Sequence, residues 1–122
     1  MVNYKSRAVV GRVEKIKLAG LFDKALHARI DTGATISSVW ASNIHADDDG
    51  LHFTLLGEGH PLYTGEVIDF EEYSKRAVRS SNGQAELRYQ IKTPVRIKGK
   101  RVNARITLAD RSTQVYPVLI GR

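Results

Sequence analysis

The stretch Ile30-Asp31-Thr32-Gly33-Ala34 holds the residues best suited to chemistry in this chain. A carboxylate at the end of an apolar strand, followed by a hydroxyl and a glycine, is a compact way to hold one acid rigidly. Gly33 lets the backbone turn sharply and approach a second copy closely, and the Thr32 hydroxyl can donate to one backbone group while accepting from another. Two such carboxylates a few ångströms apart share one proton, because both cannot stay ionised cheaply. The ionised member then acts as base toward a water, while the protonated member donates to the carbonyl under attack. By itself the tripeptide is a weak signal: roughly a few per cent of chains this long contain it by chance, and an Asp-initiated turn after a strand reads the same way.

The elements that must position Asp31 are strands. Apolar and polar positions alternate along most of the chain between Gly, Asn, Asp and Pro punctuation, and no segment keeps a helical period with caps. Strands are expected over residues 9–18 and 25–30. In the second, Leu26, Ala28 and Ile30 share one face and His27 and Arg29 the other, so Asp31 arrives where the strand ends. A short apolar run (36–40), a polar loop (46–50) and a strand (51–56) follow, and residues 57–73 show no clear period. Asn82-Gly83, both tolerant of positive φ, predicts a tight hairpin between 77–80 and 85–91. A second hairpin is expected at Lys98-Gly99-Lys100, and a last strand over 115–120. The expectation is an all-β, barrel-like single domain over residues 1–122, without repeats or linkers.

Bulk composition excludes several alternatives. At 122 residues the chain has the size of one domain, and its 42% hydrophobic and 26% charged content is that of a globular one. The absence of cysteine removes disulfides, thiolate zinc sites and thiol nucleophiles. With no apolar run of membrane-spanning length and no apolar core in residues 1–7, a cytoplasmic address and no membrane partner are expected. The net charge of +6 is uneven: residues 1–72 carry 7 basic and 11 acidic side chains, residues 73–122 carry 12 and 2. Such a field attracts anionic partners without choosing among them.

Context strengthens the Asp31 reading. The turn is followed by Ala34 and a hydroxyl-rich stretch (Thr35, Ser37, Ser38), and the chain closes on Val118-Leu119-Ile120-Gly121-Arg122. An Asp-Thr-Gly-Ala turn, a glycine-bearing hairpin and a late apolar-apolar-Gly-Arg segment, in that order, resemble the retropepsin family. More closely, Gly11-Arg12-Val13-Glu14, Ala28 to Ala34, Arg79-Ser80-Ser81-Asn82-Gly83, Leu108-Ala109-Asp110-Arg111-Ser112 and Tyr116 to Arg122 are similar to bacterial and archaeal retropepsin-like proteins labelled ATP-dependent zinc proteases. The resemblance implies a retropepsin-like (acid protease) closed β-barrel with one lobe per chain. It implies Asp31 as the catalytic carboxylate, Thr32, Gly33 and Ala34 as its scaffold, and Ser81, Asn82 and Gly83 as a flap tip over bound peptide. Ile120, Gly121 and Arg122 would support the site from beneath. This chain departs from the family pattern at Ile36 (usually Thr), Trp40 (usually His) and Gln114 (usually Met), and it stops at Arg122 where family members continue, so a shortened C-terminus is expected.

With a single Asp-Thr-Gly and half the size of a two-lobed enzyme, the chain needs a second copy for its second carboxylate, so a C2 homodimer is expected. Activity should be greatest on the acid side of neutrality. The expected substrate is a peptide or protein, and the basic C-terminal part favours an acidic or polyglutamate segment, since family members are often encoded near ligases that add glutamates. No cofactor is expected. His27, His45, His52 and His60 with Asp47, Asp48 and Asp49 show no zinc-protease spacing and read as surface histidines beside an acidic loop; no nucleotide-binding glycine loop is present. A serine hydrolase lacks its Gly-x-Ser-x-Gly elbow. The main competitor is a basic barrel that binds nucleic acid or an acidic protein without catalysis; few aromatics stand among its basic residues, which disfavours nucleic acid.

Overall fold

The computed structural model describes residues 12–31, 33–79 and 83–121, and these contain strands and turns but no helix. The strands are β1 (Arg12–Leu18), β2 (Leu26–Asp31), β3 (Ser37–Asp47), β4 (Gly50–Leu55), β5 (Val67–Phe70), β6 (Ser74–Arg79), β7 (Ala85–Ile97), β8 (Lys100–Ala109) and β9 (Val118–Gly121). Six of them, in the order β3-β8-β7-β1-β2-β9, form a ring that closes where β9 also pairs with β3. Closure leaves those strands without a free edge. The expected all-β closed barrel is therefore present, with β4 and β5 extending it from β3 and β6 hanging from β7.

Period-two alternation builds the core. Ile16 and Leu18, then Leu26, Ala28 and Ile30, then Val39 and Ala41, Ile91 and Val95, Ile106 and Leu108, Val118 and Ile120 are all buried and point inward from successive staves. Burial of each large aliphatic side chain contributes about 1.5–3 kcal/mol, which is why the strand register is firmly set: a slip by one residue would turn every one of them outward. Leu51, Phe53 and Leu55 of β4 join the same cluster. Thr107, buried in β8, donates to the Ser37 carbonyl (3.0 Å) and lies 3.2 Å from the buried Ser38 hydroxyl. Thr107→Val keeps the shape and strands both partners, so it should cost about 1–2 kcal/mol in urea unfolding.

Several boundaries differ from those the sequence suggests; β6 starts at Ser74 rather than at residue 77, and β7 runs through Pro94 to Ile97 rather than stopping at residue 91. The apolar run at 36–40 continues to Asp47, and the polar loop at 46–50 shrinks to a two-residue turn, because Asp47 pairs directly with Gly50. Gly50 has φ 130°, and a Cβ there would stand 2.5 Å from the Phe70 carbonyl oxygen, so glycine is required at that close approach. The unassigned 57–73 segment contains β5, whose Phe70 ring stacks on Phe53 at 6.1 Å. The last strand begins at Val118 rather than Val115: Pro117 has no N–H for a ladder, and its carbonyl accepts the Trp40 N–H at 2.8 Å. The hairpin at Lys98-Gly99 forms as expected, with Ile97 opposite Lys100 and positive φ at both turn residues.

Candidate active site

Asp31 ends β2 and is partly buried. Its Oδ1 accepts the Gly33 N–H at 2.9 Å, and its backbone carbonyl accepts the Ala34 N–H at 3.2 Å. The tight turn therefore clamps one carboxylate oxygen and leaves the other unconstrained by any hydrogen bond among the described residues. β2 and β3 follow one another in sequence but do not pair; β9 lies between them, parallel to β2 and antiparallel to β3. That insertion sets Gly121 beside Asp31 and Ile120 beside Ile30.

The support from beneath is tight. Gly121 donates its N–H to Ser37 Oγ at 3.0 Å, and the Ser37 carbonyl in turn accepts from Thr107. A Cβ on Gly121 would meet the Ala34 carbonyl oxygen at 2.7 Å and the Ile36 nitrogen and oxygen at 2.9 Å. Ile120 is buried in the core. The structure thus brings Asp31, Gly33, Ala34, Ile120 and Gly121 together. Thr32, Ser81, Asn82 and Arg122, expected to act as scaffold, flap tip and support, lie outside the described residues. Ser37 and Thr107 were not singled out by sequence reasoning for this role; the hydroxyl-rich stretch after the turn was the available signal, and their link spans β3 and β8.

A cleft of about 660 Å³ opens beside the turn, reaching Ile30, Thr35, Ile36, Ser37 and Gly121. The β6–β7 hairpin contributes Arg76 and Gln90 to its wall, and at the far end of that hairpin Arg79 Nη1 donates to the Gly83 carbonyl at 2.7 Å. Among the described residues, five cations (Arg12, Arg76, Lys98, Lys100 and Arg105) and no carboxylate line the cleft. Arg12 and Lys98 are paired with Glu14 at 2.8 and 3.2 Å. Arg76, Lys100 and Arg105 have no carboxylate partner among the described residues. The sequence showed the basic excess of the C-terminal part, whereas its convergence on the cleft next to Asp31 comes from strand pairing.

The histidines divide by environment. His60 packs edge-on to Trp40 at 5.9 Å and accepts the Leu62 N–H on Nδ1, and burial holds its pKa below the ordinary value. His52 stands between Asp69 and Asp47, whose hydrogen bonds hold its pKa above the ordinary value. His45 faces it across the sheet. None of these lines the cleft beside Asp31.

Comparison with known proteins agrees with this geometry. The family model RimB-like, described as retropepsin-like aspartic endopeptidase RimB, matches residues 9–122. The crystal structure of the protein Lpg0085, of unknown function, from Legionella pneumophila subsp. pneumophila str. Philadelphia 1 is similar at TM-score 0.68 and 27% identity, over 92% of this chain and 81% of that one. Proteins named probable alpha-L-glutamate ligase from Shewanella pealeana and Desulfotalea psychrophila are each 31% identical over 96% of this chain. The chain spans about a quarter of the length of these curated relatives, 26% in each case. A family match over nearly the whole chain, on a closed barrel that delivers Asp31 and Gly121 side by side, places the protein in the RimB-like family of retropepsin-like aspartic endopeptidases.

Proposed function

We propose that the protein is an aspartic endopeptidase that works as a homodimer, with a water activated between two Asp31 carboxylates, one from each copy. The observation that carries this reading is the clamped turn: one Asp31 oxygen is fixed by the Gly33 N–H while the other is left to meet water and its symmetry mate. One Asp31 takes a proton from the attacking water. The other, protonated, donates to the scissile carbonyl oxygen; as the C–N bond breaks, the first gives its proton to the leaving amine and the second takes one back from the gem-diol, which restores the pair with one shared proton.

The substrate class follows from the cleft. Arg76, Lys100 and Arg105, without a carboxylate partner among the described residues, offer positive charge beside the turn, which suits a peptide rich in carboxylates. The name of the longer relatives, glutamate ligase, points the same way, to glutamate-bearing protein segments as the material on which this barrel works. The test is cleavage of glutamate-rich and neutral peptides by the wild type and by Asp31→Asn across acidic to neutral pH, read by mass spectrometry. Cuts that depend on Asp31 support the peptidase. Tight binding of acidic peptides without any Asp31-dependent cut would leave a barrel that binds and does not cleave.

Charge reversal separates recognition from chemistry. Arg76→Glu with Arg105→Glu should raise KM for glutamate-rich peptides about tenfold or more at low salt and leave neutral peptides nearly unchanged. Equal effects on both peptide classes would remove the cleft as the source of acidic preference.

A further inference from the structure

Away from the catalytic turn, β3, β4 and β5 bring metal-ligating side chains into one row. His45 pairs with His52 across the sheet, and His52 with Asp69. Asp47 lies two residues beyond His45 and shares its face. A bulge makes this alignment. Between the pairs Ser42↔Thr54 and His45↔His52, β3 spends three steps against two of β4, with Asn43 at φ 53°. The extra residue turns His45 onto the face that His52 occupies. As a result, one donor atom from each of His45, Asp47 and His52 lies within 4.8 Å of the others.

The hydrogen bonds around the two rings supply an independent pointer to a ligand. His52 Nδ1 is 2.6 Å from Asp69 Oδ1, and His45 Nδ1 is 3.3 Å from the Asn43 carbonyl oxygen. A ring that donates Nδ1–H to such an acceptor has only Nε2 left to offer a metal, once any proton there is displaced. Both rings are therefore oriented through Nδ1 by an outer oxygen, which is how imidazole ligands are commonly held around a metal. His52 Nε2 already lies 2.8 Å from Asp47 Oδ1, so nitrogen and carboxylate converge.

We propose that His45, Asp47 and His52 bind one divalent transition-metal ion of the zinc class, with Asp69 and the Asn43 carbonyl as positioning groups and solvent completing the coordination. Two imidazoles and a carboxylate suit zinc, whereas calcium and magnesium favour oxygen-only sets. The ion replaces the proton held between His52 Nε2 and Asp47, and that proton leaves to solvent. Bond lengths of about 2.0–2.2 Å need the exposed His45 ring to close in and Asp47 Oδ1, which also accepts the Asp49 N–H at 2.9 Å, to ease away from His52 Nε2. The bound ion ties β3 to β4, and through Asp69 to β5. Asp31 is on β2, so this site neither needs nor tests the peptidase reading.

The test uses the full chain, free of any affinity tag and stripped by a chelator, at mildly alkaline pH. Zinc is titrated in calorimetry and cobalt in visible spectroscopy, with magnesium as control. The expected result is one zinc per chain, visible cobalt bands of four-coordinate geometry, a rise in Tm with zinc and none with magnesium. His45→Ala and His52→Ala should each abolish the one-to-one binding, and Asp69→Asn should weaken it by about 10–100-fold while keeping the stoichiometry. Should His52→Ala not fold, His45→Ala decides, since its ring is exposed. No saturable binding, or equal binding by the wild type and His45→Ala, overturns the proposal and leaves the row as an Asp47–His52–Asp69 ion pair without metal.

Discussion

Asp31→Asn is expected to reduce peptide cleavage by about 10³- to 10⁴-fold while leaving the barrel folded. The substitution keeps the shape and still offers an oxygen to the Gly33 N–H, so the 2.9 Å clamp survives. What is lost is the exchangeable proton: an amide can neither take one from water nor pass one to the leaving amine. Circular dichroism and unfolding curves should match the wild type. Mixing adds a second readout, because in a dimer each copy supplies half of the acid pair. Equal amounts of wild type and variant, allowed to exchange, should roughly halve activity per wild-type chain, since half of those chains then sit in mixed dimers. Activity strictly proportional to the wild-type chain would argue against a site shared between copies, and full activity of Asp31→Asn would remove the carboxylate mechanism altogether.

Gly121→Ala should destabilise the protein by about 2–3 kcal/mol and reduce activity by about 10²-fold or more in the fraction that remains folded. The added methyl would stand 2.7 Å from the Ala34 oxygen and 2.9 Å from the backbone of Ile36. These are backbone atoms of the segment that follows the Asp31 turn, so no side chain can swing away to relieve the overlap. Either β9 moves off the turn or the turn moves off β9. Both outcomes disturb the Gly121–Ser37 hydrogen bond and the pairing of Gly121 with Asp31. Urea unfolding measures the first effect, and turnover of glutamate-rich peptide per folded chain measures the second. A fully active and stable Gly121→Ala would show that the close approach does not hold the site.

The scaffold around Asp31 was legible because local chemistry dictates it. A strand with Leu26, Ala28 and Ile30 on one face must bury that face, so Asp31 falls at its end, and a Gly-containing turn follows. The same alternation marked nearly every barrel stave; Asn82-Gly83 marked one hairpin through its tolerance of positive φ, and Gly99 between two apolar-alternating runs marked another. Sequence by itself thus determined an all-β chain, the carboxylate at a strand end and the excess of positive charge after residue 72.

Other features depended on contacts between residues far apart in the chain, which no local pattern encodes. The insertion of β9 between β2 and β3 joins residues 31 and 121, and it creates the tight seat that only glycine fits. Ser37 and Thr107 acquire their supporting role across 70 positions of sequence. β5 was hidden because its four residues are half exposed and gain their strand character from pairing with β4. Histidines that lacked any metal-protease spacing along the chain meet across strands because a single bulged residue changes which face His45 presents. Periodicity is a property of neighbours in sequence and is readable there. Register, closure and convergence arise from pairing between distant strands, and the tertiary structure alone decides them.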